Sequence, residues 1–511
     1  MPTKLQGETA VTAKNLLNDL SRTLYINGDF IKSSATESIP VIDPATEQLI
    51  GHVADATEKE VEQAIQTANQ AQKAWRKTEF LTRCELLHGV AGKLRQMTPE
   101  LAEILTREMG KPYKETADEM EWSASCFDYY AEISRHDQGN VLGPVVEGQF
   151  HYTIKEPLGV VVSIQPFNYP ILLLAWQAAA ALGTGNAVIV KPSELTSLST
   201  LAFMKAFDEF PPGLMQCITG RGQVGAALCN SPDTHMVAFT GGIETGKHVA
   251  RACAEQFKPV LIEASGNDPF IVMPSANLDM AVKGGVFAAF LNCGQVCTSA
   301  ERFYIHEDIY DEYVSRFVAE VKKLRIGNGL EKVDLGPMVS EAERTRFEAK
   351  IAKALEEGAI LETGGGRPAE LDKGWFTEPT VLSGVTPEMS ILQGEIFGPA
   401  APMCKVASLD EAIKLANDSE YGLGANIYTQ DLNESMRATN ELEAGMVWVN
   451  APLLDNDAGP FGGNKMSGLG RELGPEGLES FRTSKFVIVD PSASDQGFWW
   501  FPYSDTEAHP G

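Results

Sequence analysis

Basic side chains are scarce in this chain. Its 511 residues hold 42 Lys and Arg against 69 Asp and Glu, a net charge of −27. A nucleic-acid grip needs clustered cations to replace condensed counterions, so no nucleic-acid partner is expected. An anionic membrane surface is disfavoured on the same ground. Long apolar runs are missing too. The most apolar stretch, Ile171 to Leu182, is broken by Gln177 and followed by Gly183 and Gly185. It is too short to cross a bilayer and reads as a buried helix. Met1 to Arg22 is polar, with nothing like the apolar core of a secretory signal. Cysteine is sparse: Cys84, Cys126, Cys217, Cys229, Cys253, Cys293, Cys297 and Cys404 are scattered through the chain. That usage points to free thiols in a reducing compartment, hence a cytoplasmic protein, rather than to a disulfide framework. No group of His and acidic residues completes a site around Cys293 and Cys297, so no metal is expected.

At about 150 residues per domain, the length allows two to four domains. The pattern alternates strand-like and helical segments, as in α/β proteins with parallel sheets. Thr57 to Leu101 is largely helical, opening on a capping-box spacing at Thr57 and Glu60. Strands are predicted over Leu158 to Gln165, Ala187 to Val190, Met215 to Thr219, Met236 to Thr240, Val260 to Glu263 and Pro269 to Met273. A second α/β block has strands at Phe303 to Ile305, Met403 to Val406 and Met446 to Val449. Gly459 to Gly470 reads as a loop, and Ser484 to Val489 as a late strand.

Several residues stand out as chemistry. Gly220-x-Gly222-x-x-Gly225 follows a strand and opens a helix. Glycines there let backbone approach a pyrophosphate at a helix N-terminus, although a tight strand-to-helix turn needs the same residues. Lys191 and Glu194 follow the neighbouring strand, where a carboxylate can take two ribose hydroxyls. Cys297 sits in a Gly-containing loop after an apolar helical run and is a candidate nucleophile; ordinary packing is the commoner fate of a cysteine. Cys293, four residues earlier, reads as a packing residue or as a partner for a reversible disulfide. Glu263 ends an apolar strand, where a carboxylate is costly unless paired or functional; burial would raise its pKa and suit it to general-base work. Asn168 lies between two prolines in Gln165 to Pro170 and can donate an amide hydrogen bond to an oxyanion, or close an Asx turn.

Taken together, these segments resemble the aldehyde dehydrogenase superfamily from about Leu24 to Asp490. The motifs arrive in family order: Asp43-Pro44-Ala45-Thr46, Gln165 to Pro170, Lys191 to Glu194, Phe239 to Gly246, Glu263 to Asn267, Asn292 to Cys297, Glu395 to Pro399 and Pro460 to Lys465. The resemblance implies NAD(P)-dependent, non-acylating oxidation of a small aldehyde to its acid. Cys297 would be the nucleophile, Asn168 the oxyanion donor and Glu263 the base that activates water. Lys191, Glu194, Gly222, Gly225, Gly241, Gly242, Glu395 and Phe397 would hold the cofactor. NAD is favoured because Glu194 repels a 2′-phosphate, with NADP left open by Arg221. Tyr169, Leu173, Trp176, Asp455 and Phe461 would line the substrate pocket, and Glu472 would relay protons. Carboxylates at Asp455 and Asp457 beside aromatics suggest a cationic substrate, an aminoaldehyde or betaine-type aldehyde. The alternatives are an anionic semialdehyde, which would need a basic anchor, and a cysteine esterase without redox chemistry.

The resemblance also sets the architecture. A Rossmann-like parallel-sheet cofactor domain (21–138 and 158–265) and an α/β catalytic domain (266–466) are expected. A small β oligomerisation arm (139–157 and 481–490) implies a homodimer or homotetramer. The tail 491–511 carries the aromatic cluster Phe498 to Phe501 plus Tyr503, expected to dock on a neighbouring subunit or near a tunnel mouth. Three departures from the family pattern stand out: Gly242 replaces a serine, Ala264 and Ser265 replace Leu and Gly, and Gln177 follows Trp176 where many relatives carry a lysine that relays protons.

Overall fold

The computed structural model describes residues 13–136, 138–495 and 500–501. Phe498, Trp499 and Tyr503 of the aromatic tail lie outside the described residues, while Trp500 and Phe501 are exposed. An eight-stranded sheet is built around five parallel strands. Their spatial order is Met215–Cys217, Ala187–Lys191, Val160–Ile164, Met236–Thr240, Val260–Glu263. These strands are buried on both faces, so they read as continuous apolar runs rather than alternating ones. The chain order runs outward from Val160–Ile164 in one direction and then in the other. The reversal leaves a crevice at the carboxyl ends of Val160–Ile164 and Met236–Thr240, the place where open α/β sheets bind ligands.

A second sheet has seven strands, in the order Ile360–Thr363, Thr380–Ser383, Ala400–Val406, Ala300–His306, Asp268–Val272, Gly424–Tyr428, Met446–Val449. All but the first pair are parallel. Cys297 lies three residues before Ala300–His306, and Glu395 to Phe397 directly precede Ala400–Val406. The amino ends of this sheet therefore supply the residues that meet the carboxyl ends of the first. Buried apolar side chains form two clusters, one around each sheet; the first also takes in Val296, Val339, Leu423 and Phe461. A third sheet pairs Arg482–Val489 antiparallel with Phe150–Pro157 along eight residues, and Val141–Leu142 joins its other side.

Local chemistry explains the key elements. Helix Glu58–Trp75 starts at the full capping box of Thr57 and Glu60. The expected helix through Leu101 is in fact two. The chain breaks at residues 76–79, where the Arg83 guanidinium binds the Thr78 carbonyl at 3.0 and 3.2 Å, and resumes as Phe80–Met109 until Gly110 turns left-handed at φ 94°. Helix Pro170–Gly183 has proline in its first turn and all fourteen residues buried. The polar N-terminal stretch contributes a helix, Ala13–Leu20, whose Leu16, Leu17 and Leu20 enter the first core. The loop expected over Gly459 to Gly470 contains a strand, Gly468–Leu469, paired antiparallel with Ile262 and Glu263. Glycine is needed there: φ at Gly468 is 151°, and an added Cβ would overlap the Ile262 carbonyl.

Helix Pro170–Gly183 carries the Asn168 loop on its N-terminus, so its packing sets the crevice. Leu174 in it is fully buried. Leu174→Ala is expected to lower stability by about 2–5 kcal/mol through lost burial and the cavity left behind, measured by urea unfolding. An unchanged midpoint would contradict this packing.

Candidate active site

The crevice holds a cavity of about 290 Å³. Its walls include Asn168, Thr240, Gly241, Gly242, Glu263, Cys297, Glu395 and Phe397. The structure thus brings together residues that lie up to 229 positions apart, from Asn168 to Phe397 (397 − 168). Cys297 is the only one of the eight free thiols that is not buried. Its thiol borders the same cavity as the Glu263 carboxyl, close enough for each to act on the other's proton affinity. Burial pushes both groups well above their ordinary values. The charge of Glu472 adds to the shift at Glu263, and the charges of Glu263 and Asp268 add to it at Cys297. Glu263 Oε1 has no hydrogen-bond partner. A buried, half-unsatisfied carboxylate beside a thiol is a costly arrangement that suits a base.

Two close approaches set this geometry. Gly266 lies so near Cys297 that an added Cβ would overlap the Cys297 carbonyl. The Gly241 N–H donates to the Glu263 carbonyl at 3.1 Å. Asn168 is buried, and its backbone carbonyl accepts from Lys111 Nζ at 2.8 Å and Asn292 Nδ2 at 3.4 Å. Asn292 and Cys293 both adopt left-handed φ, 51° and 56°, which turns the chain into the Cys297 loop. Cys293 faces the second core, its sulfur 3.9 Å from that of Met338, whereas Cys297 packs against the first.

Of the residues expected to hold a cofactor, Gly241, Gly242, Glu395 and Phe397 border this cavity, whereas Lys191, Glu194, Gly222 and Gly225 do not. Gly242 caps helix Ile243–Ala254 with no side-chain hydrogen bond, and an added Cβ there would meet nothing within 4 Å. The first-turn N–H groups of that helix are a natural anion cradle. The buried Lys191 Nζ lies 3.6 Å from the half-exposed Glu194 carboxylate. Gly222 and Gly225 lie at and within the first turn of helix Gly222–Asn230, with Gly225 bordering the Lys191 stem. Gly220, by contrast, is required sterically, because φ is 153° and an added Cβ would strike Val224. Arg221 is committed to Asp55, with guanidinium and backbone N–H contacts of 2.7 and 2.9 Å. Glu395 Oε1 accepts from the Gly266 N–H at 3.3 Å, and the Phe397 ring meets Phe167 edge-on at 5.7 Å.

A second cavity, about 610 Å³, is lined by Trp122, Ser125, Leu172, Trp176, Leu454, Asp455 and Asp457 among others. Asp455 keeps solvent access while protein surrounds it. That enclosure, and then the charge of Asp457, pushes its carboxyl up. Its charge is felt at Cys297. Asp457 accepts from Ser125 Oγ at 2.6 Å. Leu173, Tyr169 and Phe461 do not border this cavity. Leu173 is in the core with Leu172 at the wall, Phe461 packs on Trp176 at 4.7 Å, and Tyr169 lies 3.8 Å beneath Lys111 Nζ. Glu472 is buried and pushed up to about 7 by desolvation, with Gln177 Nε2 donating to it at 2.7 Å in partial opposition.

Sequence reading missed the residues that hold this site in place. Glu301 is buried and accepts from the Ile396 and Phe397 N–H groups, both at 2.7 Å. Lys350 holds the Glu395 carbonyl from the other side. The signal for Glu301 was present: a carboxylate on an apolar strand, the same clue that singled out Glu263. Lys111 and Glu119 left no comparable trace, because one sits in a turn and the other on a helix with other charged residues around it.

Comparison with known proteins adds the context. Residues 30–487 match the sequence model of the aldehyde dehydrogenase family. The chain is 38% identical over 494 residues to aminoaldehyde dehydrogenase 2, peroxisomal, of Pisum sativum, covering 94% of this chain and 98% of that one. It is 37% identical over 492 residues to betaine aldehyde dehydrogenase 1 of Oryza sativa subsp. japonica, covering 94% and 97%. The crystal structure of a betaine aldehyde dehydrogenase from Staphylococcus aureus in complex with NAD+ superposes with a TM-score of 0.92 at 33% identity, covering 96% of this chain and 98% of that chain.

The thiol–carboxyl pairing depends on Gly266. Gly266→Ala is expected to slow alkylation of Cys297 by iodoacetamide by at least about 10-fold, since the thiol loses its proton acceptor, with the circular dichroism spectrum unchanged. Undiminished alkylation of a folded variant would show that Gly266 does not set this pairing.

Proposed function

The chain belongs to the aldehyde dehydrogenase family, and on that premise we propose that Cys297, Glu263 and Asn168 carry out its oxidation of an aldehyde to the carboxylic acid. The carrying observation is that the Cys297 thiol and the Glu263 carboxyl line one cavity with Asn168, each raising the other's proton affinity or answering to it. Glu263 takes the thiol proton, and the sulfur bonds to the aldehyde carbon. The Asn168 amide and the Cys297 backbone N–H hold the oxygen that becomes an anion; one such donor is worth about 10²–10³ in rate. When bound, NAD supplies the acceptor for the hydride that leaves this carbon. As the carbonyl re-forms, a thioester remains on Cys297. Once the thiol proton has passed on through Glu472, Glu263 removes a proton from water, whose oxygen bonds to the acyl carbon while the carbon–sulfur bond breaks. The presence of this base favours a free acid as product.

Lys191 and Glu194 are read as the adenosine-ribose pair, Gly241 and Gly242 as the pyrophosphate cradle, and Glu395 with Phe397 as the nicotinamide-ribose side. Gly222 and Gly225 leave room for the nucleotide to approach Lys191. Glu194 disfavours a 2′-phosphate, and the commitment of Arg221 to Asp55 weakens the case for NADP. Glu472 is the proton relay of this reading: its charge bears on Glu263, and its Oε2 has no hydrogen-bond partner. Gln177 cannot carry charge, so it orients Glu472 through a neutral network with Ser163, Gln165 and Thr240.

The substrate is read as a cationic aldehyde, an aminoaldehyde or betaine-type aldehyde. Asp455 and Asp457 with Trp122 and Trp176 offer charge and aromatic faces. No Lys, Arg or His is among the residues that line this cavity, which weighs against an anionic semialdehyde. The esterase reading leaves the nucleotide cradle without a purpose. The third sheet exposes Val141, Phe150, Phe486 and Ile488, which supports association with a second copy into a homodimer or homotetramer. The eight free thiols support a reducing, cytoplasmic setting; the Pisum sativum relative is named peroxisomal.

Three outcomes test this reading. Asp455→Asn is expected to raise KM about 10-fold for aminoaldehydes while leaving uncharged aldehydes of equal length unaffected, measured by NADH absorbance across a substrate panel. Equal kcat/KM for both classes in the wild type would rule out the cationic preference. Turnover should also rise with pH through the neutral range, because Glu263 and Cys297 are both held above their ordinary values and work only when the proton is off Glu263 and the thiol can ionise. Glu263→Gln should keep an NADH burst of about one per active site but lose steady-state turnover by on the order of 10²-fold. Undiminished turnover would remove Glu263 as the base.

A further inference from the structure

Lys111 and Glu119 form an ion pair with both side chains fully buried. Lys111 follows Gly110 in the turn between helices Phe80–Met109 and Tyr113–Ile133, and Glu119 lies on the second of these. Neither borders the cavity beside Cys297. Their hydrogen bonds, however, converge on one short segment. The Lys111 ammonium meets the Glu119 carboxylate, donates to the Asn168 carbonyl at 2.8 Å and sits 3.8 Å from the centre of the Tyr169 ring. An ammonium has three N–H groups, and here each has a partner. Glu119 Oε1 accepts from the N–H groups of Ile171 and Leu172 at 3.0 and 3.2 Å. These lie in the first turn of helix Pro170–Gly183, where a carboxylate is favoured.

The segment from Asn168 to Leu172 is therefore held at both ends by one ion pair. The Asn168 carbonyl has a second donor, Asn292 Nδ2, which also donates to the Gln295 carbonyl at 3.2 Å. Asn292 in turn gives its backbone N–H to Glu115 at 3.0 Å, on the same helix as Glu119. One carbonyl thus ties the Asn168 loop to the loop that carries Cys297. We propose that the Lys111–Glu119 pair is a positioning device: it fixes the main chain around Asn168 so that the side-chain amide stays aimed at the oxygen of the carbonyl under attack by Cys297. This rests on the reading of Asn168 as an oxyanion donor.

Stability alone gives such a pair little purpose. Removing two charges from water is costly, and apolar side chains of similar size often serve as well. What the pair adds is direction. A preorganised donor must stand within a few tenths of an ångström of its place, and a misplacement of about 1 Å can cost 10²-fold in rate.

The test is made on the full-length enzyme with Lys111→Met/Glu119→Gln, which removes both charges together. Three quantities are read: NAD affinity by fluorescence titration, the single-turnover NADH burst, and the nitrophenol burst from p-nitrophenyl acetate without nucleotide. The ester burst needs no nucleotide and draws only on the thiol, its base Glu263 and the oxyanion donors. NAD affinity should stay within about 2-fold, while both bursts slow by about 10- to 100-fold. In an Asn168→Ala background the same pair of substitutions should slow them by less than about 2-fold more, since the amide being aimed is gone. Should the paired variant not fold, Glu119→Gln alone serves, because it keeps the acceptor for Ile171 and Leu172 and removes the charge that holds Lys111. Full-rate bursts in a folded variant, or slowing that multiplies with that of Asn168→Ala, would overturn the inference while leaving the oxyanion reading intact. If Asn168→Ala alone leaves both bursts unchanged, that reading falls and the inference falls with it.

Discussion

A thiol and a carboxyl face one cavity where little water reaches them, and in the proposed reading the rest of the structure serves that pairing. In water a carboxylate beside a thiol would be solvated and inert. Buried together, each resists charge, and the pair has room for about one negative charge. A nucleophile is then made by moving one proton a short distance. The demands on the backbone follow. Gly266 has to let the Cys297 carbonyl come close, Gly468 has to lie against the strand that ends in Glu263, and the left-handed Asn292 and Cys293 have to bring the loop round. The two sheets meet end to end because neither alone can supply both members of the pair.

The acidic composition looks different once the fold is known. A net charge of −27 suggests a solvated, self-repelling surface. Several glutamates are instead internal fasteners. Glu108 accepts from the Leu198 and Ser199 N–H groups, Glu119 from Ile171 and Leu172, and Glu301 from Ile396 and Phe397. In each case one carboxylate takes two consecutive backbone N–H groups at the start of a helix or in a loop, where such groups have no other partner. Two of these three fasten segments that carry the candidate oxyanion donor and the candidate nicotinamide-ribose residues.

This explains what could be read from sequence and what could not. The strands of the first sheet were legible because parallel strands buried on both faces are unbroken apolar runs, as at Val160–Ile164 and Met236–Thr240. Cys297, Glu263 and Asn168 stood out locally: a thiol in a glycine loop, a charge on an apolar strand, an amide between prolines. The helical stretch after Thr57 was legible in kind but not in its break, which depends on an arginine reaching back to Thr78. Gly468–Leu469 was hidden because its strand character comes from its partner, 205 to 207 residues away (468 − 263 and 469 − 262), rather than from its own composition. Lys111 and Glu119 were silent for the opposite reason: a lysine in a turn and a glutamate on the helix after it look like solvent-facing charges until tertiary contacts bury them. Leu172 at the cavity wall in place of Leu173 is a matter of helical phase, which a fully apolar helix does not reveal.

Charge then bears on the choice of aldehyde. The thiol already sits in a negative field from Glu263, Asp268 and Asp455, each of which raises its pKa. An anionic aldehyde would deepen that field and oppose formation of a second anion at the carbonyl oxygen. A cation bound beside Asp455 does the reverse. It offsets the Asp455 carboxylate and eases ionisation of the thiol. In the proposed reading, one Coulomb interaction would thus both select the substrate and ready the nucleophile. A cavity wall with carboxylates and indoles but no basic group is consistent with that double use, whereas an anionic substrate would leave those carboxylates working against the reaction at every step.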